Sequence, residues 1–250
     1  MCLIFNQVCE YSIQSVPFTY AKSLHSLVVA DVIIAMTSGL KQTEAPDEYS
    51  PGYSLSESEM VVLCHEMEKC TELEVLDLTA IKIHRPAAEK LKQTMKALSS
   101  LVQLNLHCCR IRCEGITDLL TSTRLEVINL SGNKMQTLNM LPKCARLRCL
   151  DLTSCSLSVP GLLCKRLLSF HCSSLHELRL AKNTEIGDTA AGELKNVLAI
   201  NVQLRVLDLM GCTLKGEALE KIFEGLTACI LLNELNLTGN TQSAMTSAVS

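Results

Sequence analysis

The sequence predicts an α/β fold, a solenoid in which short parallel strands alternate with helices. The first observation is a repeated segment of eleven residues, and the second is the near-constant distance between its copies. Its seven copies begin 22 to 29 residues apart, at Leu73, Leu101, Leu125, Leu147, Leu175, Leu204 and Leu232. Leucine or isoleucine occupies the first, fourth and sixth positions of every copy. Regular spacing of this kind is typical of stacked repeats, each of which contacts only its neighbours.

Each copy is predicted to begin as a β-strand. Successive side chains of a strand point to opposite faces, so the leucines at positions four and six face the core and the residue between them faces outward. Parallel strands joined by helices require right-handed crossovers. The repeats are therefore expected to form a right-handed horseshoe arc with a concave parallel sheet and a mostly helical convex side.

The segments between the strands have helical patterns on the convex side. Helices are predicted at 86–98, 113–122, 159–172, 188–201 and 216–229. In the last of these, Leu219, Ile222, Phe223 and Leu226 form an apolar stripe at helical spacing, which predicts that all four are buried. Segment 136–146 contains Pro142 and is too short for a full helix, so the convex side should be thinner there.

A further helix is predicted ahead of the first copy. Ser56 and Glu59 have the spacing of a capping box, in which the two side chains satisfy free amides at the helix start. The residues that follow place Met60, Leu63, Cys64 and Met67 on one helical face, which is expected to pack against the core.

The ninth position of each repeat alternates between cysteine and asparagine. Cysteine is found at 109, 155 and 212, and asparagine at 133, 183 and 240, whereas the first copy has Ile81. The chain must turn after each strand, and buried backbone groups in a turn need partners. The cysteine and asparagine side chains are predicted to supply those hydrogen bonds.

Two domains are predicted. Residues 1–55 form an irregular N-terminal segment, in which Leu24, Leu27 and Val29 fit the strand spacing of a degenerate repeat and 37–56 has the composition of a flexible loop. Residues 56–250 form the repeat domain, with about seven repeats. No helix or polar repeat follows Thr241, so the C-terminal cap that solenoids normally have is expected to be missing.

Cysteine usage indicates the compartment. Several of the 14 cysteines recur at one repeat position, where they alternate with asparagine and form no disulfide framework. Free buried thiols favour a reducing interior, so the protein is expected to be cytoplasmic. The start of the chain has no signal-peptide pattern, and the longest apolar run, 27–36, is interrupted by Asp31. A net charge of −3 gives no reason to expect a nucleic-acid or membrane partner.

The repeats from Ser56 to Asn240 resemble the ribonuclease-inhibitor type of leucine-rich repeat. The alternation of Cys155, Asn183, Cys212 and Asn240 is similar to the paired repeats of that inhibitor. Similar repeats form the sensor region of NLR innate-immune receptors. This chain departs from the inhibitor in having Ile81 at a turn and few aromatic residues, and from a complete NLR receptor in having no G-x-x-x-x-G-K-[ST] motif.

The resemblance implies a binding surface on the concave sheet. The outward positions of the strands contain the candidate partner-binding residues, which are Asp77, Asn105, His107, Asn129, Asp151, Arg179, Asp208, Met210 and Asn236. Binding hot spots are usually Trp, Tyr or Arg, and of these only Arg179 stands at the fifth position of a repeat. For each of the others, the alternative is a solvated position with no binding role.

Catalytic and metal sites are not predicted. His107, Cys108, Cys109 and Cys113 are of metal-ligand type, but Cys109 should point inward and His107 outward, so they are not expected to converge as zinc requires. The chain has no G-x-S-x-G or H-E-x-x-H motif, and no cofactor is expected.

The function predicted is therefore that of a non-catalytic scaffold that binds a protein partner. Two alternatives follow from the resemblance: a sensor fragment of an NLR-type receptor, and a regulator of a small GTPase. Activators of Ran-type GTPases have similar repeats, but they typically also have a strongly acidic tail that this chain lacks. The sequence does not identify the partner, the pathway, the oligomeric state or the role of residues 1–55.

Overall fold

The computed structural model describes residues 25–29, 55–111, 124–135, 146–157 and 174–240. These residues form one parallel sheet whose eight strands lie side by side in chain order. The strands are β1 (Ser26–Val28), β2 (Val75–Asp77), β3 (Gln103–Asn105), β4 (Val127–Asn129), β5 (Cys149–Asp151), β6 (Glu177–Arg179), β7 (Val206–Asp208) and β8 (Glu234–Asn236). Because the order is sequential, each repeat contributes one strand, as an α/β solenoid requires.

The register of the sheet follows the leucine pattern. The middle residue of every strand is aligned with that of its neighbour, from Leu27 beside Leu76 to Leu207 beside Leu235. These middle residues are buried, except that Leu235 of β8 is only partly buried. β1 lies within the predicted irregular segment and pairs with β2, so part of that segment belongs to the sheet. Leu24 lies outside the described residues.

Four helices are described, together with a short 3₁₀ turn. They are α1 (Glu57–Met67), α2 (Arg85–Ala97), α3 (Ala191–Ile200) and α4 (Gly216–Leu226), and the turn is Asp188–Ala190. α2, α3 and α4 confirm the helices predicted in 86–98, 188–201 and 216–229. The predicted helices at 113–122 and 159–172, and most of the segments 37–56 and 136–146, lie outside the described residues.

The start of α1 confirms the capping box. The Glu59 amide donates to Ser56 Oγ at 3.3 Å, and the Ser56 amide donates to Glu59 Oε2 at 2.7 Å. The Ser56 hydroxyl also donates to Glu59 Oε2 at 2.6 Å, and this bond, together with that from the Ser56 amide, lowers the pKa of the Glu59 carboxyl because both favour its charged form. The predicted apolar face is also buried, since Met60, Leu63, Cys64 and Met67 all lie in the core.

The predicted burial of Phe223 is wrong. Its side chain is 50% exposed, whereas Ile222 is fully buried and Leu219 and Leu226 are partly buried. The buried face of α4 is centred on Ala218, Ile222 and Gly225. A Cβ at Gly225 would lie 2.8 Å from the Lys195 backbone of α3, so this glycine allows the two helices to approach closely. That close approach fixes the rotation of α4 and leaves Phe223 facing solvent.

The turn residues bind backbone groups as predicted. Asn183 Nδ2 donates to the carbonyls of Leu152 and Leu180 at 2.8 and 2.7 Å, and its Oδ1 accepts from the Cys155 amide at 3.0 Å. The Cys212 thiol donates to the Leu180 carbonyl at 3.1 Å. Each of these side chains therefore joins its own repeat to the repeat before it.

The cysteines in the described ranges are all free thiols. They are Cys64, Cys70, Cys108, Cys109, Cys149, Cys155, Cys212 and Cys229. All except Cys149 are buried, which fits the role of free cysteine as a small apolar side chain. Among the described residues, no helix is both long enough and apolar enough to cross a bilayer.

Candidate binding surface on the concave sheet

The outward side chains of the strands form a continuous surface, here called the concave face, which consists of three columns. The column of third positions contains Val75, Gln103, Val127, Cys149, Glu177, Val206 and Glu234. The column of fifth positions contains Asp77, Asn105, Asn129, Asp151, Arg179, Asp208 and Asn236. The column of seventh positions contains Thr79, His107, Ser131, Thr153, Ala181, Met210 and Thr238. All nine candidate partner-binding residues belong to the fifth or seventh column.

Six of the seven fifth-position residues have a structural role. Each uses its side-chain Oδ1 to accept a hydrogen bond from the backbone amide two residues later, at 2.7 to 3.1 Å. The six residues are Asp77, Asn105, Asn129, Asp151, Asp208 and Asn236. Aspartate and asparagine readily form this local turn, which satisfies an amide where the strand ends. The preference for these residue types therefore needs no partner to explain it.

Arg179 is the exception in this column. Its Nη2 donates to Glu177 Oε2 of the same strand at 3.0 Å. In the register of the sheet, Arg179 lies between Asp151 on β5 and Asp208 on β7. The hydrogen bond to Glu177 is the main cause that raises the pKa of Arg179. The one predicted hot-spot residue of the column is thus already paired with a carboxylate.

The concave face contains a depression of about 300 Å³ that extends from β2 to β6. It brings together five of the nine candidate residues, which are Asp77, Asn105, Asn129, Asp151 and Arg179. Its lining does not include His107, Asp208, Met210 or Asn236. The depression contains third-position residues that were not predicted, including Val75, Val127, Cys149 and Glu177. Strand alternation could have identified them, because third and fifth positions face the same side.

The seventh column contributes less surface than expected. Ser131 and Ala181 are buried, and they separate half-buried His107 from half-buried Met210. The strands end at the fifth position, and the chain then turns. The alternation of a strand therefore does not decide the burial of the seventh-position side chains. The prediction that this column faces outward along its length is wrong at these two positions.

A model of the family described as Leucine Rich repeat matches residues 171–194 and 201–223. Both matches include a strand of the sheet and residues of the convex side that flank it. The fold is a leucine-rich-repeat solenoid. The repeats predicted from the leucine spacing are thereby confirmed, and the concave face is the sheet surface of that solenoid.

Solved structures that are similar to this solenoid include the TLR13–ssRNA13 complex and two internalins. The TLR13–ssRNA13 complex has 17% identity and a TM-score of 0.48, and the match covers 92% of this chain. An internalin C2 from Listeria monocytogenes has 13% identity and a TM-score of 0.38, covering 77% of this chain and 78% of that one. An internalin inlF from the same organism has 13% identity and a TM-score of 0.31, covering 92% and 87%. This chain spans 35% of the TLR13 chain.

A serine–histidine contact lies in the seventh column of the concave face. His107 Nδ1 lies 2.7 Å from Ser131 Oγ, and Ser131 Oγ donates to Asn129 Oδ1 at 2.6 Å. The only hydroxyl proton of Ser131 is therefore directed to the amide oxygen, so His107 must be the donor in the other contact. A nucleophilic serine needs the reverse arrangement, in which histidine accepts its proton.

Cys149 is the described cysteine that reaches the concave face. Burial, and next the neighbouring carboxylate of Glu177, raise the pKa of its thiol to about 11. A neutral thiol is a poor nucleophile and a poor metal ligand. Within the described residues, no group of three or more His, Cys, Asp or Glu side chains is placed to hold a metal ion.

Proposed function

We propose that this protein is a non-catalytic scaffold that binds a protein partner through its concave face. The observation that supports this function is an uninterrupted eight-stranded sheet with one face packed on the core and the other facing outward around a depression of about 300 Å³. Extended concave surfaces of this kind are the usual binding surfaces of solenoid proteins.

The chemistry of the face suits binding better than it suits catalysis. Ser131 donates its proton away from His107, and the Cys149 thiol is neutral near pH 7. Val75 and Val127 supply apolar area within the depression, next to polar side chains. Protein interfaces combine apolar and polar contacts in this way.

The repeats are proposed to be of the ribonuclease-inhibitor type. The support is the alternation of turns, in which Asn183 accepts from the amides of the preceding cysteine repeat and Asn240 accepts from the Cys212 amide at 3.0 Å. A cytoplasmic location is proposed because buried free thiols such as Cys155 and Cys212 act as hydrogen-bond donors. Imaging of a fluorescent fusion alongside a cytosolic marker would check that location, and exclusive labelling of the secretory pathway would contradict it.

Affinity capture with a matched pair of variants tests the proposed function. Val127→Trp fills the depression on the concave face, whereas Val61→Trp adds the same bulk on α1, where Val61 is 45% exposed. Proteins captured from cytosol by the wild type should be lost with Val127→Trp and retained with Val61→Trp, provided both variants melt as the wild type does. If Val127→Trp retains every specific partner, the concave face is not the binding site.

The two alternative functions have separate tests. Regulation of a small GTPase predicts that the purified protein changes the rate of GTP hydrolysis by one or more small GTPases, and a panel without any response removes it. A role as an NLR-type sensor predicts that a nucleotide-binding domain is encoded in the same transcript. A transcript without such a domain would contradict that role.

A further inference from the structure

We infer that the concave face selects a partner that presents a basic, extended peptide segment to it. This inference rests on the proposed function and specifies the chemistry of the partner. The segment would place lysine or arginine side chains on the carboxylates of β2, β5 and β7, with its aliphatic parts against the valines between them.

Negative charge predominates on this face. Its three columns contain five carboxylates, from Asp77, Asp151, Asp208, Glu177 and Glu234, and one guanidinium, from Arg179. With histidine neutral, five negative charges and one positive charge give −4. The whole chain has a net charge of −3. The residues outside the three columns therefore sum to +1 (−3 minus −4), so the net negative charge of the chain comes from the concave face, which attracts a cationic partner.

The single guanidinium does not offset this attraction for an incoming ligand. Arg179 is paired with Glu177 at 3.0 Å and has Asp151 and Asp208 on the neighbouring strands. Its charge is thus compensated within the face. An anionic ligand would meet no unpaired cation among the described residues of the three columns, apart from His107 when it is protonated.

The carboxylates keep one oxygen available for a ligand. Asp151 and Asp208 each use Oδ1 to accept a backbone amide, at 2.9 and 3.0 Å. In the part of the chain that the structure describes, neither Oδ2 accepts a hydrogen bond. Asp77 is more fully engaged, because its Oδ2 accepts from Asn105 Nδ2 at 2.8 Å. The turn therefore holds the carboxylates of β5 and β7 in place while one oxygen of each stays accessible.

Apolar and acidic groups lie side by side in the depression. Val75 is two residues from Asp77 on β2, and Val127 lies diagonally across from Asp151 of the adjoining strand β5, beside Cys149. Lysine and arginine have long aliphatic stems that pack on apolar surface while the charged end remains hydrated. Neighbouring strands are about 4.8 Å apart, so Asp77 and Asp151 are separated by about 14 Å. Basic residues four positions apart in an extended segment cover the same distance, at about 3.3 Å per residue.

The test uses Asp→Asn substitutions, because asparagine already occupies other positions of the same column. Asn105, Asn129 and Asn236 form the same turn as the aspartates of their column. The variant with Asp77→Asn, Asp151→Asn and Asp208→Asn should therefore lose three charges and keep its fold. The control variant, with Glu89→Gln, Glu185→Gln and Glu220→Gln, loses three charges at exposed positions off the concave face.

Binding is measured by fluorescence anisotropy with three labelled probes. They are a twelve-residue peptide with lysines four positions apart, the same peptide with glutamate in place of lysine, and a single-stranded RNA of twelve nucleotides. The lysine peptide should bind the wild type more tightly than either other probe and weaken with added salt. The aspartate variant should bind it about 10-fold more weakly, since each exposed charge pair contributes only a small part of the binding free energy. The control variant should bind as the wild type does.

Three results would overturn the inference: equal binding of the lysine and glutamate peptides, tighter binding of the RNA, or no effect of the three Asp→Asn changes. Absence of measurable binding to the lysine peptide would also count against it. Failure of this inference is separable from failure of the proposed function. A natural partner that is lost with Val127→Trp but unaffected by the Asp→Asn variant would leave the concave site valid and refute its charge selectivity.

Discussion

In the repeat that begins at Leu175, the side chain of the turn residue Asn183 both donates and accepts hydrogen bonds. Its Nδ2 contacts three carbonyls at 2.7 to 3.3 Å, and its Oδ1 accepts from the amides of Cys155 and Leu157 at 3.0 and 3.2 Å. In the next repeat, the Cys212 thiol donates to the Leu180 carbonyl at 3.1 Å. The Cys212 amide itself depends on Asn240 Oδ1. An asparagine turn thus stabilises the preceding cysteine turn as well as its own.

The backbone differs between the two kinds of turn. The residue after the turn cysteine has a positive φ in each case, with 54° at Arg110, 51° at Ser156 and 57° at Thr213. Lys134 and Thr184, which follow asparagines, are described and do not share this conformation. Non-glycine residues adopt positive φ at an energetic cost. The cysteine turns therefore combine weaker side-chain hydrogen bonds with a more strained backbone.

The comparison predicts its largest effect for loss of an asparagine. Asn183→Ala removes the hydrogen bonds that Asn183 makes to the buried Leu152 carbonyl and to the Cys155 and Leu157 amides, so the free energy of unfolding should fall by about 3 kcal/mol or more. Urea unfolding followed by circular dichroism measures the change. If the loss is no larger than that of the equivalent cysteine change, the two kinds of turn contribute equally and the comparison fails.

The second predicted effect is a loss of stability at alkaline pH, which depends on the thiols alone. Burial raises the pKa of Cys212 from its ordinary value of 9.0 to about 11, and that of Cys70 and Cys149 to about 11 as well. The fold favours the neutral thiols, so their contribution to stability is complete below pH 9.0 and is lost as the pH rises towards about 11. Unfolding measured in urea between pH 8.5 and 11 should show this decline.

The control for that decline is Cys212→Ala, which removes one of the thiols whose pKa is raised. Its free energy of unfolding should fall less steeply with pH than that of the wild type over the same range. Parallel curves for the two proteins would show that Cys212 titrates in the fold as it does in the unfolded chain.

A smaller loss of stability is expected for the cysteine variant at neutral pH. Cys212→Ala removes a weak donor and some packing, while Asn183 and Asn240 remain in place. The expected decrease in the free energy of unfolding is about 1 kcal/mol. Cys212→Ser, which retains a donor, shows whether hydrogen bonding or packing dominates. Stability equal to the wild type in the serine variant assigns the effect to hydrogen bonding.

The smallest effect has opposite signs in the two kinds of turn. Ser156 has a φ of 51° and Thr184 does not have a positive φ, although both are exposed and follow the turn residue. Ser156→Gly should stabilise the protein by about 0.5 kcal/mol, because glycine adopts positive φ without a steric cost. Thr184→Gly should destabilise it by about 0.5 kcal/mol through the greater entropy of the unfolded chain. Thermal unfolding of the two variants should therefore shift in opposite directions.

Much of the fold could be predicted because the same pattern of leucine positions recurs in each repeat. Strand alternation placed Leu76 and Leu104 in the core, and the capping box at Ser56 and Glu59 located the start of α1. Phe223 could not be placed in this way. Helical spacing defines an apolar stripe on α4, but the close approach at Gly225 decides which part of that stripe meets the core.

The candidate surface could be predicted in outline only. Alternation places Asp151 and Arg179 on the concave face, and the structure agrees. The pairing of Arg179 with Glu177 depends on a side-chain conformation that the repeat pattern does not specify. The repeat pattern also could not predict the depression, because side chains from five strands form it together. Val75 and Val127 line the depression because their strands lie side by side with the others that form it.

The sequence by itself determined the repeat, its strand register and the type of turn at each ninth position, because these depend on contacts that recur at a fixed spacing. Tertiary structure decided which carboxylate oxygens are accessible, which cation is compensated and which face of α4 is buried. Those properties depend on side-chain conformations and on contacts between repeats, which the repeat pattern does not specify. The division is visible in Asp151, whose place on the sheet follows from its position in the repeat, whereas its accessible oxygen follows from its neighbours.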